Sequence, residues 1–373
     1  MQSPGRILVF QTAFTGDVVL TLPLIQALHA HLPNVLIDVV VIPGPAHVIA
    51  NHPAINNIIS YDKKGKERGL AAAWLLVQRL RQASYDAAII PHRSIRSATI
   101  CYLADIPRRI GFSTSAGRFL LTDVVNYEKE SHETVRNLHL LRPLGIAVPS
   151  KELPRLYPSR DDSREVDELL SKYSSINREN MIAVAPGSVW ATKRWLPERY
   201  VGLCTTLADE GFSIALIGGK EDLQLGDAIE SSVKSGLAVN AMGKLTVLQS
   251  AALIGRCKLA VTNDSSPMHL AVAMRTPVIA IFGATVPEFG FGPLGEHDEV
   301  VQTLGLKCRP CAIHGSNNCP IKTFDCMKNI QVENVLEKVH AILFKLNAVV
   351  SPERSVRKDS YGEGSSLVSS HSV

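Results

Sequence analysis

The feature that most constrains this chain is an alternation, made twice, of short apolar runs with helical patterns. Arg6-Ile-Leu-Val-Phe10 is too short for a buried helix and is rich in strand-forming types. A polar turn through Gly16-Asp17 follows it, and Leu20, Leu24 and Leu28 then recur at helical spacing within residues 18–31. The pattern continues with a strand at 35–42, a helix at 70–82 and a strand at 85–90, which leads into the basic loop of His92, Arg93 and Arg96. After Tyr127 the chain turns helical and polar, and residues 149–180 hold prolines and charges but no long apolar run, as an inter-domain segment would. The second set predicts strands at 181–185, 212–217, 259–262 and 278–282. Its helices are expected at 198–210, from about 223, at 248–254, from Asp264-Ser265 and at 332–346. Strands that are apolar throughout must be covered on both faces, so each set predicts a parallel sheet between helices.

The length of 373 residues exceeds one ordinary core, and a 46% hydrophobic content is enough for two. The reading is therefore an α/β chain of two Rossmann-like domains facing across a cleft, residues 1–160 and 161–347, with 348–373 as a disordered tail rich in Ser, Gly and charge. A net charge of +4 with 20% charged residues lacks the basic excess of a nucleic-acid binder. No stretch approaches the roughly 18 apolar residues of a membrane span, and the first residues lack a signal-peptide layout, so a cytoplasmic location is expected. Of seven cysteines, Cys101, Cys204 and Cys257 sit in apolar segments, while Cys308, Cys311, Cys319 and Cys326 cluster at a spacing that four thiolates around zinc can also have. No histidine completes a zinc pattern there, and no metal site is assigned.

In open parallel sheets ligands gather beyond the carboxyl ends of the strands, so the loops after the strands matter most. In the loop after the first strand, Asp17 either takes a proton from a hydroxyl nucleophile or caps the following helix. The segment from Pro186 to Trp195 offers Ser188, the adjacent cations Lys193 and Arg194, and free amide groups suited to a diphosphate, or else a solvated Lys-Arg pair between packing tryptophans. Glu221 follows the next strand, where a carboxylate can accept from ribose hydroxyls. The most specific segment is Thr262-Asn-Asp-Ser-Ser-Pro-Met-His269. An apolar strand there runs into capping residues and a proline, so Asp264, Ser265 and Ser266 open a helix whose amino end suits phosphate, with His269 one turn in. No D-x-D triplet for a metal-bridged diphosphate occurs.

These segments carry a resemblance. T-G-D at Thr15 to Asp17, H-R-S-I-R-S from His92, I-P-R-R-I-G-F from Ile106, P-G-S-x-W-x-x-K-R-W from Pro186 and T-N-D-S-S-P-M-H-L-A from Thr262 resemble the ADP-heptose:lipopolysaccharide heptosyltransferases of glycosyltransferase family 9. The likeness runs over residues 6 to 346 and implies the GT-B fold, an acceptor-binding first domain and a nucleotide-sugar-binding second one. It implies Asp17 as general base and Lys193 as the main cation on the donor diphosphate. Ser188 would add a phosphate contact, Glu221 would bind ribose, and Asp264, Ser265 and His269 would hold the donor's phosphates and heptose. Ser266 stands where the family often has glycine. The implied partners are an ADP-sugar donor and an anionic, lipid-linked core acceptor, with no cofactor and with peripheral association at the inner membrane. Lys63, Lys64, Lys66, Arg93, Arg96, Arg108 and Arg109 are the cations expected to hold the acceptor. A sugar-nucleotide epimerase of the same architecture and a non-catalytic nucleotide-sugar-binding protein are the rival readings.

Overall fold

A computed structural model describes residues 5–234 and 236–350. The first sheet comprises β1 (Arg6–Phe10), β2 (Leu36–Val41), β3 (Asn57–Ser60), β4 (Ala87–Ile90), β5 (Arg108–Phe112) and β6 (Asp123–Val125), in the order β3-β2-β1-β4-β5-β6. The second comprises β7 (Met181–Ala185), β8 (Ser213–Leu216), β9 (Ala238–Asn240), β10 (Leu259–Asn263), β11 (Val278–Phe282) and β12 (Glu299–Gln302), in the order β12-β11-β10-β7-β8-β9. Read from its other edge, the second sheet repeats the order of the first. Every pairing is parallel; Val9 stands opposite Val39 and Ile89, and Val184 opposite Leu216 and Val261. In each sheet the chain reverses its strand order beside the first strand, between β1 and β4 and between β7 and β10. The crevice beyond the carboxyl ends at such a point is where ligands bind in these folds.

Helices cover both faces, which is why β1, β4, β7, β8, β10 and β11 are apolar almost without interruption and buried. Three local expectations are corrected. The helix expected at 18–31 is two helices, Thr15–Val19 and Leu22–His31. The break falls where Thr21 Oγ1 donates to the Asp17 carbonyl (2.8 Å) and Pro23 brings no amide hydrogen to the second helix's first turn. The short strands β3, β5, β6, β9 and β12 had no clear sequence signal, because runs of three to five residues that include polar or charged members need their neighbours to become strands. The last helix, Val332–Val350, continues into the segment expected as a tail, the rest of which lies outside the described residues.

Two contacts between the halves lie at the cleft. The Thr15–Val19 helix packs on the Ser266–Ala273 helix, and a Cβ at Gly16 would lie 2.9 Å from His269 Cδ2, so only glycine fits this approach. Behind it, the amino end of the Glu133–His139 helix meets residues 287–292. The Glu133 amide donates to the Gly290 carbonyl (2.8 Å), the His132 ring Nε2 lies 2.9 Å from the Gly292 carbonyl, and buried Arg136 donates to the Phe289 carbonyl (3.0 Å). Gly290 has φ +92° and a Cβ there would lie 2.6 Å from Arg136 Nη2, so conformation and space both require glycine. Among the described residues no helix is long and apolar enough to cross a membrane.

Candidate active site

A cleft of about 500 Å³ opens between the carboxyl ends of the two sheets, lined from the first half by Phe14 to Asp17 and from the second by the loops after β7, β8, β10 and β11. Asp17 lies in the first turn of its short helix, where Oδ2 accepts the Phe14 amide (3.2 Å). This is a helix-terminal hydrogen bond, and it leaves most of the carboxylate's acceptor capacity unspent, so the cap and the proton acceptor are compatible roles for one side chain. Burial, with Glu133's charge nearby, pushes the Asp17 pKa from 3.8 up to about 6, against the opposing pull of the Phe14 amide and of Arg93. A carboxylate poised near neutrality in a cleft is suited to taking a proton.

Beside Asp17, at the carboxyl ends of β1, β3 and β4, stands a basic group. Lys63 Nζ donates to Thr12 Oγ1 (3.0 Å), which lies 3.2 Å from His92 Nδ1, and Arg96 Nη1 reaches the Lys63 carbonyl (3.4 Å). Lys64 lies over the Phe14 ring (5.3 Å) and Arg93 over the Tyr127 ring (4.6 Å). Burial, with Lys63 and Arg93 as neighbours, lowers the His92 pKa to about 4, so the ring is neutral at physiological pH and adds no charge to this basic edge.

Across the cleft, Lys193 Nζ lies 2.6 Å from Asp264 Oδ2, and Thr285 Oγ1 donates to the same oxygen (2.6 Å). Asn263 ties the two loops at the crevice together: its Oδ1 accepts the Trp195 amide (3.0 Å) and the Tyr200 hydroxyl (2.9 Å), and its Nδ2 donates to the Pro186 carbonyl (2.7 Å). Ser265 caps the Ser266–Ala273 helix through its extended backbone, and Pro267 occupies the first turn, so the helix's free amides face the cleft. His269 is buried beside them. Desolvation lowers its pKa to about 4, and it is a neutral ring there.

The residues expected to bind the donor, Ser188, Lys193, Glu221, Asp264, Ser265, Ser266 and His269, all line this cleft together with Asp17. Lys63, Lys64, Arg93 and Arg96 stand together on its first-half side. Arg108 and Arg109 do not. They open β5 at the amino end of the sheet, beside Ala87 and Ala88 of β4, where Arg108 pairs with Asp123 (2.9 Å) and Arg109 donates to the Leu120 carbonyl (2.7 Å) and the Ile106 carbonyl. Their guanidinium groups are spent on the fold, and the acceptor role expected of them is withdrawn. Trp195 is likewise a packing residue, buried with Nε1 donating to the Ile330 carbonyl (3.0 Å), whereas Trp190 lines the cleft.

Sequence reading missed four contributions. Asn263 and Thr285 shape the second-half side of the cleft, Glu133 raises the Asp17 pKa, and residues 313–316 wrap back over Lys193, where the Ser316 amide donates to Thr192 Oγ1 (2.8 Å). Only Asn263 left a signal, as a polar residue at the end of an otherwise apolar strand. The cysteine-bearing segment that holds residues 313–316 is anchored through the Cys311 amide to the Ala284 carbonyl (2.9 Å). Among the described residues no group of three or more His, Cys, Asp or Glu side chains is arranged to hold a metal ion.

A family model described as glycosyltransferase family 9 (heptosyltransferase) matches residues 73–322. Lipopolysaccharide heptosyltransferase 2 of Escherichia coli K12 is 29% identical over 308 residues, 80% of this chain and 88% of that protein. The solved structure of E. coli ADP-heptose lps heptosyltransferase II is similar with a TM-score of 0.74 at 27% identity, covering 92% of this chain and 99% of that one. A family 9 glycosyl transferase from Veillonella parvula has a TM-score of 0.82 at 22% identity, covering 91% and 98%, and shares the fold.

Proposed function

Because the chain belongs to glycosyltransferase family 9, the heptosyltransferases, and has the GT-B architecture, we propose that it transfers heptose from ADP-heptose to the inner core of a lipopolysaccharide, with inversion at the anomeric carbon. The observation that carries this reading is that Asp17, poised near neutrality, and the Lys193-bearing loop line one cleft from opposite halves. The acceptor hydroxyl loses its proton to the Asp17 carboxylate as its oxygen attacks the anomeric carbon. The bond to the diphosphate breaks on the opposite face, and ADP leaves with the electron pair. Negative charge grows on the leaving diphosphate, and Lys193 with the amino end of the Ser266–Ala273 helix stabilises it there, where the surrounding protein replaces water. Ser188, Ser265 and Ser266 add phosphate donors, Glu221 takes the ribose hydroxyls, and Asp264 and neutral His269 hold the sugar and orient Lys193.

The acceptor is anionic and lipid-linked in this reading, and Lys63, Lys64, Arg93 and Arg96, grouped next to Asp17, support it. Transfer then takes place in the cytoplasm, at the inner face of the inner membrane. Membership in a transferase family sets aside the epimerase, and the pairing of a poised carboxylate with a diphosphate cation disfavours a protein that only binds the donor. The deciding experiment incubates the purified chain with ADP-heptose and core acceptors of one step shorter or longer, with mass spectrometry of the product. Acceptor-dependent release of ADP with addition of one heptose is expected. ADP binding without transfer to any core acceptor, or conversion of the donor without acceptor, would overturn the proposal.

A further inference from the structure

The helix Leu70–Ala83 carries two apolar surfaces, and among the described residues only one has a partner. Leu76, Val77 and Leu80 pack into the sheet, whereas Leu70 is 91% exposed, Leu75 69% and Trp74 49%, all within the first two turns. Those turns follow β3, so they lie at the carboxyl edge of the first sheet, the same edge that bears Asp17. Ile95, also exposed, opens the helix that follows β4 at that edge.

Exposed cations lie in the loop that leads into this helix, Lys64, Lys66 and Arg68, and in the first turn of the helix after β4, Arg96. The two carboxylates in the same loop are tied to its own amides. Asp62 accepts the amides of Gly65 (2.9 Å) and Lys66 (3.0 Å), and Glu67 accepts the amide of Asp62 (2.6 Å), while Lys64, Lys66 and Arg68 outnumber them and are exposed. An indole and aliphatic side chains flanked by lysine and arginine match the interface of a bilayer that carries negative charge. The apolar groups enter below the headgroups there, and the cations reach the phosphates.

We propose that this edge docks on an anionic lipid bilayer and so presents the cleft to an acceptor embedded in it. The placement rests on the lipid-linked acceptor proposed above; the binding itself does not. Bilayer capture needs neither donor nor acceptor, so it is tested apart from the reaction. The full chain is mixed with vesicles of phosphatidylcholine, or of phosphatidylcholine with phosphatidylglycerol, and floated through a density gradient. Wild type should float with the mixed vesicles and stay behind with phosphatidylcholine alone. The triple variant Leu70→Ser, Trp74→Ser, Leu75→Ser should lose at least about tenfold in binding, and Lys66→Gln with Arg68→Gln about tenfold, with added salt acting in the same direction. The charge variant keeps the test decisive if the triple variant folds poorly. Transfer to a deacylated, water-soluble acceptor should be unchanged in the triple variant while transfer to vesicle-embedded acceptor falls. Wild type that ignores anionic vesicles, variants that float like wild type, or a wild-type dimer that the triple variant dissociates would each overturn the proposal, the last by making the patch a self-interface.

Discussion

Asp17→Asn tests the mechanism at its centre, because asparagine keeps an oxygen for the Phe14 amide and loses only the ability to take a proton. The structure assigns this substitution two effects of opposite sign. The folded chain raises the Asp17 pKa from 3.8 to about 6, so the folded state holds this proton more tightly than the unfolded one. Its contribution to stability is therefore fully present below 3.8 and declines as pH rises through about 6. By neutral pH the accumulated penalty is up to about 3 kcal/mol, reduced by the carboxylate's partial contact with solvent. Asparagine carries no such penalty. The variant should melt higher than wild type at pH 7.5, by roughly 2–8 °C, while the rate of transfer falls by roughly 10²–10⁴-fold. The assay follows release of ADP with a core acceptor at saturating donor, alongside calorimetric melting and titration with ADP, whose affinity should stay close to wild type. In wild type the rate should rise with pH and level off above about 6. An Asp17→Asn variant with nearly full activity and normal melting refutes the general-base argument, and so does a variant that loses activity only because it melts lower.

Lys193→Ala should weaken ADP binding by about 1.5–3 kcal/mol and, by leaving Asp264 buried without its cation, also lower the melting temperature; unchanged calorimetric affinity would remove Lys193 from the donor site. Gly16→Ala places a methyl group against the His269 ring and should lower kcat/KM about tenfold or more with each half still folded, and normal kinetics would show that the approach of the two helices does not matter. Stability should fall steeply between pH 6.5 and 4, because burial lowers His52, His92, His132 and His269 to about 4 and only the unfolded chain takes up their protons in that window. Asp17 offsets about one of these, for a net uptake of about three protons on unfolding, which the pH dependence of urea melts measures and a flat profile would contradict.

Much of this protein was legible without a structure. A strand buried on both faces must be apolar throughout and a helix must repeat at 3.6 residues, so runs such as Ile7 to Phe10 and Met181 to Ala185 announced two parallel sheets. The chemistry of loops that follow such strands then singled out Asp17, Lys193 and Asp264. These signals are local, written within a dozen residues by geometry that the backbone imposes on any chain. What the tertiary structure alone decided is what stands next to what. Arg109, a plausible acceptor cation by sequence, sits at the amino end of β5 with its donors spent on carbonyls, and Glu133, unremarked by sequence, helps set the charge of Asp17. Gly16 owes its identity to a histidine in the other half, and Lys193 meets Asp264 only because β7 and β10 pair side by side. Desolvation and Coulomb interactions depend on distances through space, and those are set by which elements pack together across long separations in the chain, so no local pattern can contain them.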